Sequence, residues 1–141
     1  MSKHKDTYCR RLQFYETDAM GIIHHANYLK LMEEARLQFL RSVYTHNHGE
    51  PEGPLLAQIN YPLVHCQVDY KKPMRFNEDL LIHYDVWTEG ARLFFSYLFE
   101  TKSFENPVAF GKTVHVAFDM NTQRAVRLPK DVLDYLQQTG K

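Results

Sequence analysis

The order of hydrophobic patterns predicts an α+β domain in which one antiparallel sheet packs on one long helix. Three observations carry this. A long stretch with helical spacing, from about Ala26 to Val43, follows a short β-like segment. Segments of period-two alternation joined by short turns come after it. A short helical pattern closes the chain, so the expected order is β-α-β-β-β-β-α.

The first strand is expected over Tyr8 to Phe14. In the helix, Tyr28, Leu29, Leu31, Met32, Ala35, Leu37, Phe39, Leu40 and Val43 cover more than one stripe. That predicts a helix wrapped on several sides. His46 to Pro54, with two glycines and two prolines, reads as a loop. Gln58 to Tyr70 reads as a long extended segment, and Pro62 predicts a bend or an edge position within it.

Leu80, Ile82, Tyr84 and Val86 alternate with polar positions, and Glu89-Gly90 turns the chain into Leu93, Phe95, Tyr97 and Phe99. Glu105-Asn106-Pro107 turns it again into a strand from Val108 to Phe118. One face of that strand is Ala109, Gly111, Thr113, His115 and Ala117, small enough to let a helix lie close. Pro129 reads as a first-turn residue of a short helix carrying Val132, Leu133, Tyr135 and Leu136. One helix cannot cover both faces of a five-stranded sheet. Bulky side chains on both faces, such as Phe94 and Phe95, therefore predict a homodimer or homotetramer.

A chain of 141 residues suggests one domain, residues 1–141. Seventeen basic and seventeen acidic residues balance, which argues against a dedicated nucleic-acid binder. The N-terminus lacks the apolar core of a secretory signal, and no run approaches the roughly 20 apolar residues that span a bilayer. Cys9 and Cys66 stand far apart with no CxxC, so neither a disulfide scaffold nor a zinc-cysteine site is expected. The expected compartment is the cytoplasm.

The chemistry concentrates in FYETDAMGIIHHANY, Phe14 to Tyr28. Asp18 sits in a loop between strand and helix, where a turn or cap acid is the plain alternative. Gly21 lets backbone approach something closely. The helix start that follows offers unpaired N–H groups and partial positive charge, able to hold a developing oxyanion. A carboxylate beside such a site suits acyl transfer or hydrolysis, by direct attack or by activating water. Asn27 is a plausible N-cap. His24 and His25 are adjacent and point differently, and no metal-ligand spacing accompanies them, so no metal site is expected.

FYETDAMGIIHHANYLKLMEEAR resembles the signature of the 4-hydroxybenzoyl-CoA thioesterase family, of hot-dog fold, and most of all its bacterial acyl-CoA thioesterases linked to the Tol–Pal system. The matching residues are Phe14, Glu16, Thr17-Asp18, Gly21, Ile22-Ile23, His25, Tyr28, Glu33, Ala35 and Arg36. VDYKKPMRFNEDLLI and VAFDMNTQRAVRLP resemble further family segments. The resemblance implies a five-stranded sheet around a central helix, and hydrolysis of an acyl-CoA to free acid and CoA. It implies no separate cofactor, since coenzyme A is part of the substrate.

By resemblance Asp18 is the catalytic carboxylate, and His25 supplies the polarising backbone N–H and an orienting side chain. Glu33, two turns along the same helix face, is either a helper acid or a structural partner of Arg36. His24 replaces the aromatic residue common before the motif histidine. Lys71 and Lys72 are expected contacts of the CoA phosphates, with Arg75 nearby and Arg92 less favoured; a solvated turn is the alternative. Acyl-carrier-protein thioesters as substrates, or a non-catalytic acyl-CoA-binding or scaffold module, are the competing readings. Envelope or lipid-metabolism partners are further expectations.

Overall fold

The computed structural model describes residues 3–49 and 59–140. Its long helix α1, Asn27–His48, lies against an antiparallel sheet. The sheet has seven strands rather than the expected five: β1 (His4–Arg11), β2 (Ile59–Asn60), β3 (Leu63–Tyr70), β4 (Asp79–Glu89), β5 (Arg92–Thr101), β6 (Ala109–Asp119) and β7 (Arg124–Val126). A second helix, α2, spans Lys130–Thr139. The spatial order is β1-β4-β5-β6, with β3 beyond β6 and the short strands β2 and β7 also on β6.

The two extra strands arise on β6, which is long enough to serve several partners. β3 pairs with its residues up to His115, and β2 with Phe118 and Asp119. β7 pairs with Ala117 to Asp119, just past the Arg92–Val116 pair where β5 stops. Pro62 separates β2 from β3 and a register shift follows at Leu63/His65, so the expected bend is present. Proline lacks the N–H that a continuous ladder would need.

The first strand begins and ends earlier than expected. It pairs with β4 from His4↔Val86 to Arg11↔Asp79, and Phe14–Glu16 forms a single 3₁₀ turn. β1 is an edge strand of mostly polar residues, so alternation of apolar residues could not mark it. Helix α1 runs five residues past Val43 and ends at Gly49, whose φ of 73° permits a left-handed stop and whose N–H reaches Thr45 O at 2.7 Å. His46 to His48 are therefore helical; the rest of the expected loop, residues 50–54, lies outside the described residues.

α1 buries one stripe, Tyr28, Leu31, Met32, Ala35, Phe39 and Val43, rather than several sides. Leu29 stays 48% exposed. The stripe sits on Leu80, Ile82, Tyr84 and Val86 of β4, Leu93 to Phe99 of β5, and the small face of β6. A Cβ placed on Gly111 would lie 2.5 Å from Met32 Sδ, so the close seat of the helix depends on that glycine. In α2, Val132, Tyr135 and Leu136 are buried at helical spacing while Leu133 is exposed. Pro129 is its N-cap, one position before the expected first turn.

Candidate active site

The chain between β1 and α1 is pinned before it reaches Asp18. Arg10 on β1 bonds the Glu16 carboxylate and both oxygens of Glu34 on α1, the latter at 3.1 Å each. Tyr8 donates to Glu34 at 2.6 Å, and Gln13 N–H donates to Glu16 at 2.9 Å. The Arg10 and Glu16 side chains are 15% and 7% exposed, so this is a buried pair. Burial opposes the Arg10 charge, but Glu34 and Glu16 outweigh it and hold its pKa above the ordinary value.

Glu16 also works through its backbone. Its carbonyl accepts His24 N–H at 2.9 Å and the Asn27 side-chain amide at 2.7 Å. Asn27 is therefore not the N-cap; Ala26 is, without a side-chain cap bond. The amide that could have capped the helix instead ties the helix start to the segment two residues before Asp18.

Asp18 sits in a tight turn. Its backbone N–H donates to Ile22 O at 2.8 Å, and Gly21 N–H returns to Asp18 O at 3.1 Å. Gly21 adopts φ 79°, the left-handed region, with open space around it, so conformation and not crowding demands glycine. Asp18 Oδ1 accepts Met20 N–H at 2.8 Å and Ile22 N–H at 3.4 Å. The plain turn-acid role is thus real for one oxygen. Oδ2 accepts no hydrogen bond among the described residues.

The mouth of α1 is narrower chemically than a bare helix start. His24 N–H is taken by Glu16 O, Ala26 N–H by His24 Nδ1 at 3.2 Å, Asn27 N–H by His24 O at 2.9 Å, and Tyr28 N–H by His25 O at 3.2 Å. Of these five successive amides, only that of His25 donates to nothing among the described residues. His24 stacks on His25 at 4.3 Å and its Nδ1 serves the backbone, which explains a histidine where an aromatic is common.

Ile23 N–H reaches Met74 O at 2.7 Å, and Ile22 bridges Arg75, so the Asp18 loop docks on the segment after β3. Lys71 and Lys72 both donate backbone N–H to Val108 O, at 2.9 and 3.0 Å. The result is a cleft of about 300 Å³ lined by Asp18, His25, Tyr28, Tyr70, Lys71 and Lys72, among others. All four site residues picked from sequence therefore share one cleft. Arg75, Arg92 and Glu33 do not line it. Glu33 lines a different cavity and makes no ion pair with Arg36, so its structural-partner reading is not met.

Sequence reasoning missed Tyr70, which meets Tyr28 edge-on at 4.8 Å and donates to His25 O at 3.4 Å. Its position directly before Lys71-Lys72 was the available signal. Burial, with Tyr70 beside it, pushes the Tyr28 hydroxyl up to about 12, so it stays a neutral donor. The Lys72 ammonium lies 5.4 Å from the Phe104 ring centre, held near the cleft by a cation–π contact. Among the described residues no cluster of three or more metal-ligating side chains occurs. The arrangement offers one carboxylate oxygen, one unspent amide and two lysines lining a single opening.

Comparison with known proteins identifies the family of the chain. A 1,4-dihydroxy-2-naphthoyl-CoA hydrolase of Nostoc punctiforme is 30% identical over 131 residues, covering 93% of this chain and 86% of its own. An acyl-CoA thioesterase of Haemophilus influenzae is 30% identical over 125 residues, covering 86% and 87%. A crystal structure of an Aquifex aeolicus protein superposes with a TM-score of 0.76 at 31% identity, covering 93% of this chain and 98% of that one. Residues 12–136 match the thioesterase-like superfamily, the hot-dog thioesterases, and the chain belongs to it.

Proposed function

We propose that this protein hydrolyses an acyl-CoA thioester to the free acid and CoA, in the cytoplasm. The single observation that carries the reading is the convergence of Asp18, the unspent His25 amide, Lys71 and Lys72 on one cleft. The names of relatives across the superfamily support thioester hydrolysis. The motif resemblance adds the narrower placement, among 4-hydroxybenzoyl-CoA-type enzymes near the Tol–Pal-associated group.

In this reading the thioester carbonyl oxygen rests on His25 N–H, where the partial positive charge of the helix start favours the developing oxyanion. Asp18 Oδ2 either takes a proton from the attacking water or attacks the carbonyl carbon itself, forming an anhydride that water then hydrolyses. The C–S bond breaks, the thiolate of CoA leaves and is protonated, and the acyl carbon ends as a carboxylic acid. Lys71 and Lys72 attract the CoA phosphates. A second subunit completes the molecule: among the described residues β3 bonds on one side only, to β6, and leaves Leu63, Val64 and Tyr70 about half exposed.

The test is thiol release across an acyl-CoA panel by the parent and Asp18→Asn proteins. Loss of nearly all turnover with an intact fold supports the assignment; parent-like rates in the variant overturn it. A single turnover in heavy-oxygen water then separates the two roles, because label in the Asp18 carboxylate requires an anhydride intermediate. Light scattering at several concentrations checks the assembly, and a monomer at all of them would refute it.

A further inference from the structure

A second cavity, about 380 Å³, lies between α1 and strands β5 and β6. Leu93, Phe95 and His115, each no more than 2% exposed, form its floor. Leu40 and Arg36 of α1 form one wall, with Glu33 exposed at the rim. None of these residues lines the Asp18 cleft.

A hydrogen-bonded chain runs behind the floor, and its direction is determined. Tyr61 O can only accept, so His115 Nδ1 carries the proton it gives at 3.0 Å. Burial and the nearby Arg36 push His115 down to about 4, so the ring is neutral and Nε2 is an acceptor. Thr113 hydroxyl donates to Nε2 at 3.0 Å. Thr113 Oγ1 then accepts from Tyr97 OH at 2.6 Å, and the Tyr97 oxygen accepts from Arg36 Nη1 at 3.2 Å.

The chain ends on a cation. A guanidinium has five N–H donors; Arg36 spends one on Tyr97 and pairs with no carboxylate among the described residues. An unpaired charge beside an apolar cavity is costly unless an anion arrives. We propose that this cavity binds an amphipathic monoanion, its apolar body against Leu40, Leu93 and Phe95 and its carboxylate on Arg36. Two sources share this chemistry: the free acid released by hydrolysis, or a carboxylate at the far end of the acyl group. His25 lies just before α1, and Arg36 stands nine residues into it, roughly 14 Å along the axis from Asn27. The naming of these two sources rests on the hydrolase reading; the binding itself does not.

The experiment is calorimetric titration of the whole protein with naphthoate and with its neutral amide. Naphthoate should bind the parent and Asp18→Asn equally. Arg36→Met should weaken it roughly tenfold to a hundredfold, the scale of a charge-assisted bond, and Arg36→Lys should recover part. Leu40→Trp, which fills the cavity and leaves Arg36 in place, should also abolish binding, and it serves if Arg36→Met does not fold. Equal binding by parent and Arg36→Met, equal binding of acid and amide, loss in Asp18→Asn, or no binding at millimolar acid would each overturn the proposal. If no acyl-CoA is hydrolysed at all, the hydrolase reading fails while the Arg36 result stands. Inhibition of thiol release by naphthoate separates the sources: competitive inhibition marks the acyl end, noncompetitive inhibition marks the released acid.

Discussion

Two arginines flank the same helix and have opposite circumstances. Arg10 reaches α1 from β1 and is held by two carboxylates, one of which, Glu34, also accepts from the Tyr8 hydroxyl. Arg36 leaves α1 toward β5 and, among the described residues, bonds only the oxygen of Tyr97. The first is a closed set that fixes the backbone around Asp18. The second is open, and Arg36 lines a cavity. Charge pairing, more than residue type, separates an arginine that builds the site from one that can receive a ligand.

The largest effect expected on that contrast is catalytic. Asp18→Asn should lower kcat by roughly 10²- to 10⁴-fold, the range for a positioned acid–base group, with thermal midpoint unchanged. Next comes the closed arginine. Arg10→Met strands Glu16 and Glu34 and should cost about 3–5 kcal/mol in denaturant unfolding. Arg36→Met should cost about 1 kcal/mol, one hydrogen bond. Equal costs would erase the distinction.

A third expectation concerns pH. The folded-state pKa of His115 lies near 4, below its ordinary 6.5. A histidine lowered in this way contributes stability that is complete above about 6.5 and is lost as pH falls toward 4, because the unfolded chain binds the proton first. His4 is lowered by burial too and acts in the same direction. Unfolding measured across that window should show a decline of a few kcal/mol at most, and His115→Gln should flatten part of it. Smaller again, Gly111→Ala should destabilise by about 1–3 kcal/mol through Met32. Smallest, Asn27→Ala should cost about 1 kcal/mol in stability and reduce kcat more than it changes KM, since it loosens the helix mouth from Glu16.

β4, β5 and β6 were legible because each has one face on the core, so Leu80 to Val86 and Leu93 to Phe99 alternate in the sequence as they do in space. β1 was misplaced because its pairing is carried by backbone bonds and its side chains are mostly polar. The final turn of α1 was missed because Thr45, His46 and Asn47 are exposed, with no apolar stripe to extend. In the site, Asp18, Gly21 and His25 follow a recognisable spacing. The Glu16 carbonyl that holds His24 and Asn27 could not be read, because a backbone acceptor has no letter in the sequence. Tyr70 lies far along the chain and reaches His25 only through the fold.

The solitary amide of His25 has a consequence for inhibitor choice. A CoA thioether, which has sulfur but no oxygen at that location, would be held through its nucleotide and pantetheine arm alone. A CoA ketone, with the methylene in place of sulfur and the oxygen kept, would seat on that amide and resist cleavage. The gap in affinity between those two mimics measures how much of substrate recognition this one donor supplies.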